Sequence, residues 1–391
     1  MRVNNLKILF ITHYSGMYGA NQSLCTLILE LRNNYNVRPV VLLRNEGPVC
    51  NFLRQNSINY HVIHFYWWVN SDQGFFQKAL NLRKQFRNHF IEKKVEKIIH
   101  NENIDLLYSN SITVNLGAVL HNKLKIPHIW HIRENLASYD LKFSLGDKIS
   151  VKIIRKGADR FIVISNYLLV VYKNLFLEGL VIRIYNGIPL DSFTSITNNI
   201  KRDTSNINLC LSGIVCDQKN QMDALMAIRI LVKEKGYTNI RLHLIGGAKE
   251  DYLKKVSEYI DLERLKDNIL YHGHQDDVHD LLSRMDIGLM CARDEAFGRV
   301  TVEYMLHRLP VIASNSGANP ELVIPGISGD LYELNNPFDL ACKIEKYLFK
   351  PELIEKTGTI AYEFAKTNFS SEKNTREIYR VIEDVMTDDN Q

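Results

Sequence analysis

The sequence has no run approaching the roughly 18 consecutive apolar residues of a membrane-spanning helix, so no segment reads as transmembrane. It is equally poor in organised cysteine. Cys25, Cys50, Cys210, Cys216, Cys291 and Cys342 are scattered, with no Cys-x-x-Cys pair and no metal-ligand spacing. That argues against a disulfide framework and a cysteine-held metal, and fits a reduced, cytoplasmic setting. The opening "MRVNNLKILFITHYSG" lacks the small-residue cleavage pattern of a secretory leader and reads as a strand. No internal repeat is visible, and no nucleic-acid-binding motif, so nucleic acid is not an expected partner.

What is present is ordinary globular composition, 46% hydrophobic and 24% charged. At 391 residues the chain is too long for one core, and two domains are expected. The net charge of +4 hides an asymmetry: residues 1–200 hold 24 Lys+Arg against 13 Asp+Glu, and residues 201–391 hold 24 against 31. The surplus gathers in the stretch from Lys78 to His100, where seven basic residues face two acidic ones just after "FYWWVNSDQGFF". A basic helix beside Trp and Phe suits adsorption to an anionic membrane surface. A solvated helix face beside an aromatic core gives the same pattern, so both readings stand.

Short β-rich runs alternate with longer amphipathic stretches, the mark of βαβ units and parallel sheets. "KILFITHY", "VRPVVLLRN", "IDLLYSNS", "PHIWHIRE" and "ADRFIVISN" read as strands of a first domain. A polar, aperiodic linker follows "VIRIYNGIPLDSF", and the pattern restarts with "INLCLSGIV", "IRLHLIGGA", "ILYHGH", "DIGLMCA" and "LPVIASN". The expected division is residues 1–190, a linker at 191–206, a second domain at 207–370, and a final helical stretch, 371–391, that crosses back to the first domain. In such open α/β sheets, ligands gather at the carboxyl ends of the strands.

The chemistry concentrates in "DEAFGRVTVEYMLHRLPVIASNSGANPELV". Gly298 allows a tight turn and close approach of a ligand. A helix starting near Arg299 would aim its unpaired N–H groups into the loop, a ready site for phosphate. Glu295 lies in front of that end and Glu303 one turn inside, and carboxylates accept hydrogen bonds from hydroxyls. The set points to a sugar-bearing phosphate compound, although a capped helix with surface glutamates would share the spacing. "SGIVCDQKNQ" adds Gly213 and Lys219 at a strand-to-helix turn, where a lysine can meet a diphosphate.

Together these stretches resemble the retaining nucleotide-sugar glycosyltransferases of GT-B architecture, in the large family whose signature is E-x7-E. "EAFGRVTVE" fits that signature, "GIVCDQKNQ" the Gly-x5-Lys turn, and "LPVIASNSGANPELV" the following strand and glycine loop. "IYNGIPLDSF" matches the Asn-Gly-Ile segment closing the first domain, and "LIGGA" and "YHGH" the glycine turns flanking the base pocket. The resemblance spans most of the chain. It implies an α/β fold of two doubly wound Rossmann-like domains facing each other across a cleft.

It also implies roles. Lys219, beside Gly213, would bind the donor diphosphate, Glu303 the ribose hydroxyls and Glu295 the transferred sugar. Backbone around Phe297, Gly298, Val300 and Thr301 would cradle phosphate and sugar. The nucleotide sugar would sit mainly in the second domain, 207–370, and the acceptor mainly in the first, 1–190, whose amino-terminal loop with Gly16 and Gly19 would approach the donor from the other side. His131 matches a histidine placed near donor and acceptor, with Arg133 and Glu134 at the same strand end. Lys219, Glu295 and His131 form the implied catalytic set.

One departure stands out: the family usually carries arginine directly after the glycine matched by Gly213, and here the residue is Ile214. Arg299 is the expected substitute for the missing charge. The implied reaction is sugar transfer with retention, by front-face attack in which the departing phosphate takes the acceptor proton. No cofactor beyond the nucleotide-sugar donor is implied. No metal is implied either, since no Asp-x-Asp motif is in place and Asp276-Asp277 precedes a helix like a cap. The acceptor class favoured by the basic, aromatic-edged first domain is a lipid-linked glycan at the inner membrane face, as in surface polysaccharide assembly. Two alternatives share the architecture: a nucleotide-sugar epimerase, and a catalytically weak nucleotide-sugar-binding partner of another transferase.

Overall fold

The computed structural model describes residues 5–71, 75–177, 179–194, 205–275 and 277–388. The chain forms two compact units, Met1–Gly187 with Ser371–Gln391, and Ile188–Ser370.

The first unit is built on a seven-stranded parallel sheet of β1 (Lys7–Ile11), β2 (Arg38–Leu43), β3 (Asn59–Val62), β5 (Leu106–Ser109), β6 (His128–Ile132), β8 (Arg160–Val163) and β9 (Val181–Arg183). A short antiparallel ribbon, β4 (Val69–Asn70) with β7 (Lys142–Phe143), stands apart. The sheet order is β3-β2-β1-β5-β6-β8-β9. Alternation along β1 shows why helices must cover both faces, because successive side chains point to opposite sides. Ile8 and Phe10 join Leu24, Leu27 and Ile28 of the Gly19–Tyr35 helix and Ile378 and Ile382 of the Ser371–Asp388 helix. Leu9 and Ile11 join Val95 and Ile99 of the Phe75–Glu102 helix and Leu120 of the Leu116–Leu124 helix.

The second unit repeats the plan with β10 (Ile207–Ser212), β11 (Ile240–Ile245), β12 (Ile269–Tyr271), β13 (Ile287–Met290), β14 (Val311–Ser314) and β15 (Gly329–Tyr332). All are parallel, in the order β12-β11-β10-β13-β14-β15. Leu209, Leu242 and Leu289 are fully buried against Ala224 and Ile228 of the Gln221–Arg229 helix and Leu340 and Ile344 of the Pro337–Phe349 helix. In both sheets the strand order reverses about a central pair, β1/β5 in one and β10/β13 in the other. A crevice at such a reversal is where open α/β sheets bind ligands.

The first unit ends at Gly187 rather than at residue 190. Ile188 N–H donates to the Phe369 carbonyl at 2.9 Å, and Phe193 packs edge-on against His279 and His307 at 4.9 and 5.3 Å. The start of the expected linker is therefore a short helix, Asp191–Thr194, within the second unit. The rest of it, residues 195–204, lies outside the described residues. The Ser371–Asp388 helix belongs to the first unit, where Ser371 Oγ donates to Glu30 Oε1 at 3.0 Å and Tyr379 meets Tyr35 with ring centroids 4.2 Å apart.

Burial leaves several histidines neutral. His128 uses both ring nitrogens, Nδ1 toward the Gly157 carbonyl at 2.5 Å and Nε2 toward Ser109 Oγ at 2.8 Å. That environment suits the neutral tautomer, and burial pushes the pKa down to about 3. Burial likewise lowers His131 well below 6.5 and His307 to about 3. Below pH 6.5 the unfolded chain takes up protons that these folded sites refuse, so stability falls as pH falls. Each such histidine costs about 1.4 kcal/mol by one pH unit below 6.5. Glu134, held up to about 7 by burial, runs the other way but is outnumbered. Melts recorded from about pH 7.5 to 5 should show the midpoint dropping steadily below pH 6.5; a flat profile would contradict neutral burial.

Candidate active site

The loops after β10, β13 and β14 converge at the reversal point of the second sheet. The turn after β10 runs through Gly213 to a short 3-10 turn, Asp217–Lys219. It is tied to its neighbours by backbone hydrogen bonds: Gly213 N–H to the Ile245 carbonyl at 2.8 Å, Val215 N–H to Gly247 at 2.8 Å, and Arg293 N–H to Gln218 at 2.9 Å. The glycine turn after β11 is tied in the same way to the one after β12, Gly246 N–H to the Gly273 carbonyl at 2.8 Å. The bond from Arg293 lashes the Lys219 turn to the loop that carries Glu295.

Lys219 and Glu295 thus meet: Lys219 Nζ lies 2.5 Å from Glu295 Oε2, both side chains about a quarter exposed. Gly298, with φ of 91°, caps the Arg299–Leu306 helix, so the helix starts where the sequence indicates. Glu303, one turn in, carries the second ion pair, Arg299 Nη2 to Glu303 Oε1 at 3.4 Å. Each carboxylate of the signature therefore holds one cation. Thr301 is fully buried in the first turn, and its Oγ1 has no hydrogen-bond partner. Phe297 is buried against Phe369, ring centroids 5.8 Å apart, and fixes the loop without presenting its ring. Val300 is half-buried. Ile214 is 47% exposed.

One part of this site was not legible as such in the sequence. Gly317, in the loop after β14, adopts φ of 58°, and a Cβ there would sit 2.4 Å from Glu295 N. Asp294 N–H donates to Ser316 Oγ at 3.1 Å and Ala318 N–H to the Glu295 carbonyl at 2.8 Å. The loop is a backbone splint for Glu295. Its only sequence signal is the Ser-Gly-Ala turn after a buried strand.

Gly16, Gly19 and His131 belong to the first unit. The loop holding Gly16 is pinned by Asn21, whose Nδ2 donates to the Tyr14 carbonyl at 2.9 Å and to Gly16 at 2.8 Å. Gly19 opens the following helix. His131 is not presented at the sheet edge: it is wholly buried, Nδ1 sharing a hydrogen with Tyr108 Oη at 2.6 Å. It lies within β6, Arg133 Nη2 is 3.3 Å from its Nδ1, and its Nε2 is buried without a hydrogen-bond partner. Arg133 also binds Asn110 Oδ1 at 2.6 Å and Asn186 Oδ1, the asparagine of the Asn-Gly-Ile segment. Asp277 Oδ1 accepts from His279 N at 2.8 Å, while Asp276 lies outside the described residues. Among the described residues, no three His, Cys, Asp or Glu side chains gather as a metal site.

Two Rossmann-like parallel sheets define the α/β architecture called GT-B. The chain resembles the crystal structure of HepE from Anabaena, solved with UDP, at a TM-score of 0.80 and 21% identity over 97% of this chain and all of that one. The Glycosyl transferases group 1 family matches residues 193–364. An uncharacterized glycosyltransferase of Methanocaldococcus jannaschii is 31% identical over 297 residues, 74% of this chain and 78% of its own length. The chain belongs to the Glycosyl transferases group 1 family and is a glycosyltransferase. A lipopolysaccharide core biosynthesis mannosyltransferase of Rhizobium leguminosarum is 29% identical over 161 residues, 41% of this chain and 46% of that protein.

The splint predicts a selective cost. Gly317→Ala should destabilise the second unit by about 2–6 kcal/mol, because both its left-handed backbone and its clash with Glu295 are penalised. Gly236→Ala shares a positive φ, 78°, but meets nothing within 4 Å, and should cost only the backbone strain, about 1–3 kcal/mol. Urea unfolding of the two variants measures the difference, and equal costs would refute the clash.

Proposed function

We propose that the protein transfers a hexosyl group from a UDP-sugar to an acceptor hydroxyl with retention at the anomeric carbon, in assembly of a surface polysaccharide or lipid-linked glycan. The observation carrying this reading is the pairing of Lys219 with Glu295 in front of the helix that starts at Arg299. A diphosphate arriving at that helix end gains the first-turn N–H groups and Lys219. Glu295, released from Lys219, is free to accept from hydroxyls of the transferred sugar, and Glu303 from those of the ribose. Arg299, one side chain away, supplies the charge that Ile214 cannot. Leaving-group charge is then met by cations of the chain itself, without a metal or further cofactor. Catalysis is mostly positioning, with the departing phosphate taking the acceptor proton. UDP is chosen because the solved HepE structures are complexes with UDP, with UDP and glucose, and with UDP-glucose. The glycan-assembly setting rests on the Rhizobium relative, a lipopolysaccharide core biosynthesis enzyme.

Titration calorimetry with UDP-, GDP-, ADP- and CMP-sugars tests the donor. UDP-sugars alone should bind. Lys219→Ala, Arg299→Ala and Glu303→Ala should each weaken binding about 10–100-fold, as expected for lost charge-assisted hydrogen bonds. Unchanged affinity in Arg299→Ala would remove that residue from the diphosphate. A new nucleotide sugar formed from donor alone would replace transfer by epimerisation.

We further propose that the enzyme works at the inner membrane face, peripherally, through the Phe75–Glu102 helix. Val95 and Ile99 are buried on one side of it, and Asn88 accepts from Tyr66 N at 2.9 Å on that same side. The other side exposes Phe86 and Phe90, rings 5.4 Å apart, among exposed Arg83, Arg87, Lys94 and Lys97. The side chain of Lys78 lies outside the described ones. Apolar rings within a basic stripe suit an anionic bilayer, each cation adding about 1 kcal/mol near the surface. No helix among the described residues is long and apolar enough to cross a membrane. Vesicles containing phosphatidylglycerol should sediment the protein, salt should weaken the binding, and Phe86→Ser with Phe90→Ser should reduce it at least tenfold. Equal binding to neutral phosphatidylcholine vesicles would contradict the basic stripe.

A further inference from the structure

The strand starts of the first unit hold a cavity that the chemistry above does not use. Lys7, Arg38 and Asn59 are the first residues of β1, β2 and β3, which run parallel, so they stand at the edge opposite the one where the strands finish. With Arg32, Asn36 and Ser57 they line a cavity of about 390 Å³, inside the ~300–1,000 Å³ range usual for small-ligand pockets. Lys7 and Arg38 are paired in register on neighbouring parallel strands, which puts both side chains on the same face of the sheet. Like charges so placed repel each other. Glu102 is the one carboxylate among the lining residues, and it is already taken. Its Oε2 lies 3.1 Å from Lys7 Nζ, while Oε1 accepts from Asn59 Nδ2 at 2.6 Å and stands 3.4 Å from His61 Nε2.

The other two cations are less committed. Arg32 lies in the last turn of the Gly19–Tyr35 helix, where Nη1 donates to the Asn56 carbonyl at 2.5 Å and Nε to Asn33 Oδ1 at 3.2 Å. It thereby answers the negative carbonyl ends of that helix and of the Pro48–Gln55 helix. Its Nη2 makes no hydrogen bond among the described residues. Arg38 answers nothing: it is exposed, and its guanidinium has no hydrogen bond or ion pair among the described residues. The Asn36 amide and the Ser57 hydroxyl are uncommitted as well. Three cations against one carboxylate leave a surplus of two, which matches a dianion. A phosphate has that charge near neutral pH, and its tetrahedral oxygens accept from two guanidinium groups and a hydroxyl together.

We propose that this cavity is a separate anion site of the first unit, which takes a phosphate group, free or as the monoester of a small hydroxyl-bearing molecule. Arg38 binds the phosphate, with Arg32 Nη2 and the Ser57 hydroxyl completing the cradle. The cavity is larger than one phosphate, and the Asn36 amide is there for a hydroxyl of the attached group. The site lies at the strand starts, so it is independent of the donor and acceptor readings. Filling it offsets the Lys7–Arg38 repulsion and links the start of β2 to the end of the first helix, so the ligand stabilises the fold.

Titration calorimetry and thermal melts on the full chain test this, with inorganic phosphate and glycerol 1-phosphate as probes. Wild type should bind at least one probe and melt higher in its presence. Arg38→Gln should weaken that binding at least tenfold, and Arg38→Lys, which keeps the charge but loses the fork, by less. Without probe, Arg38→Gln should melt no lower than wild type, since Lys7 loses a like-charged neighbour; a purely structural arginine would lower it. Lys219→Ala should leave probe affinity within twofold, which separates this site from the donor loop. Tighter binding of glycerol 1-phosphate than of inorganic phosphate marks the ligand as a phosphomonoester, and equal binding marks it as free phosphate; either supports the site. No binding of either probe to wild type, unchanged affinity in both Arg38 variants, or an equal loss in Lys219→Ala would overturn it.

Discussion

Two parallel sheets, each buried on both faces, constrain everything else in this molecule. Parallel strands all finish at one edge, and helices occupy both faces, so side chains that meet a substrate must come from the loops at that edge. The reversal of strand order then opens one crevice per sheet. In the second unit, backbone hydrogen bonds from Arg293 to Gln218 and from Ala318 to Glu295 draw three loops over that crevice. The Lys219–Glu295 pairing is a consequence of those bonds rather than their cause.

The two crevices hold charge in different ways. Lys219–Glu295 and Arg299–Glu303 are partly exposed pairs, and pairs of that kind are worth about 0–1 kcal/mol. Exchanging such a partner for a ligand's phosphate or hydroxyl costs little, which suits a site that must fill and empty. Arg133 is a different case. It is 5% exposed and bound to two asparagine side chains, and stripping partners from a buried charge is expensive. It is part of the frame.

The sequence made the interior strands visible because burial on both faces demands unbroken apolar runs, as in β1, β5, β8 and β13. It hid β3 and β15. Residues 59–62 are half-exposed at the sheet's edge and read as a mixed polar stretch, while β15 begins at a glycine, without a strand-like run before it. At the site, the glycine-and-glutamate spacing was legible because a tight turn and a helix start leave local marks. The Gly317 splint was not. It joins distant loops, which meet only when the sheet brings strand ends together. The burial of His131 was hidden for a related reason: a histidine inside a strand looks the same in sequence whether its ring faces solvent or a Tyr108 hydroxyl.

On the proposed reading, Arg299 makes up for the departure at Ile214. An arginine at the first residue of a helix opposes the positive end of the helix dipole, and at 14% exposure it also loses hydration. The chain keeps it there, with Glu303 one turn on as its partner. An anion that meets helix end and guanidinium together removes the conflict, because it is attracted to both. On the proposed reading, that anion is the donor diphosphate.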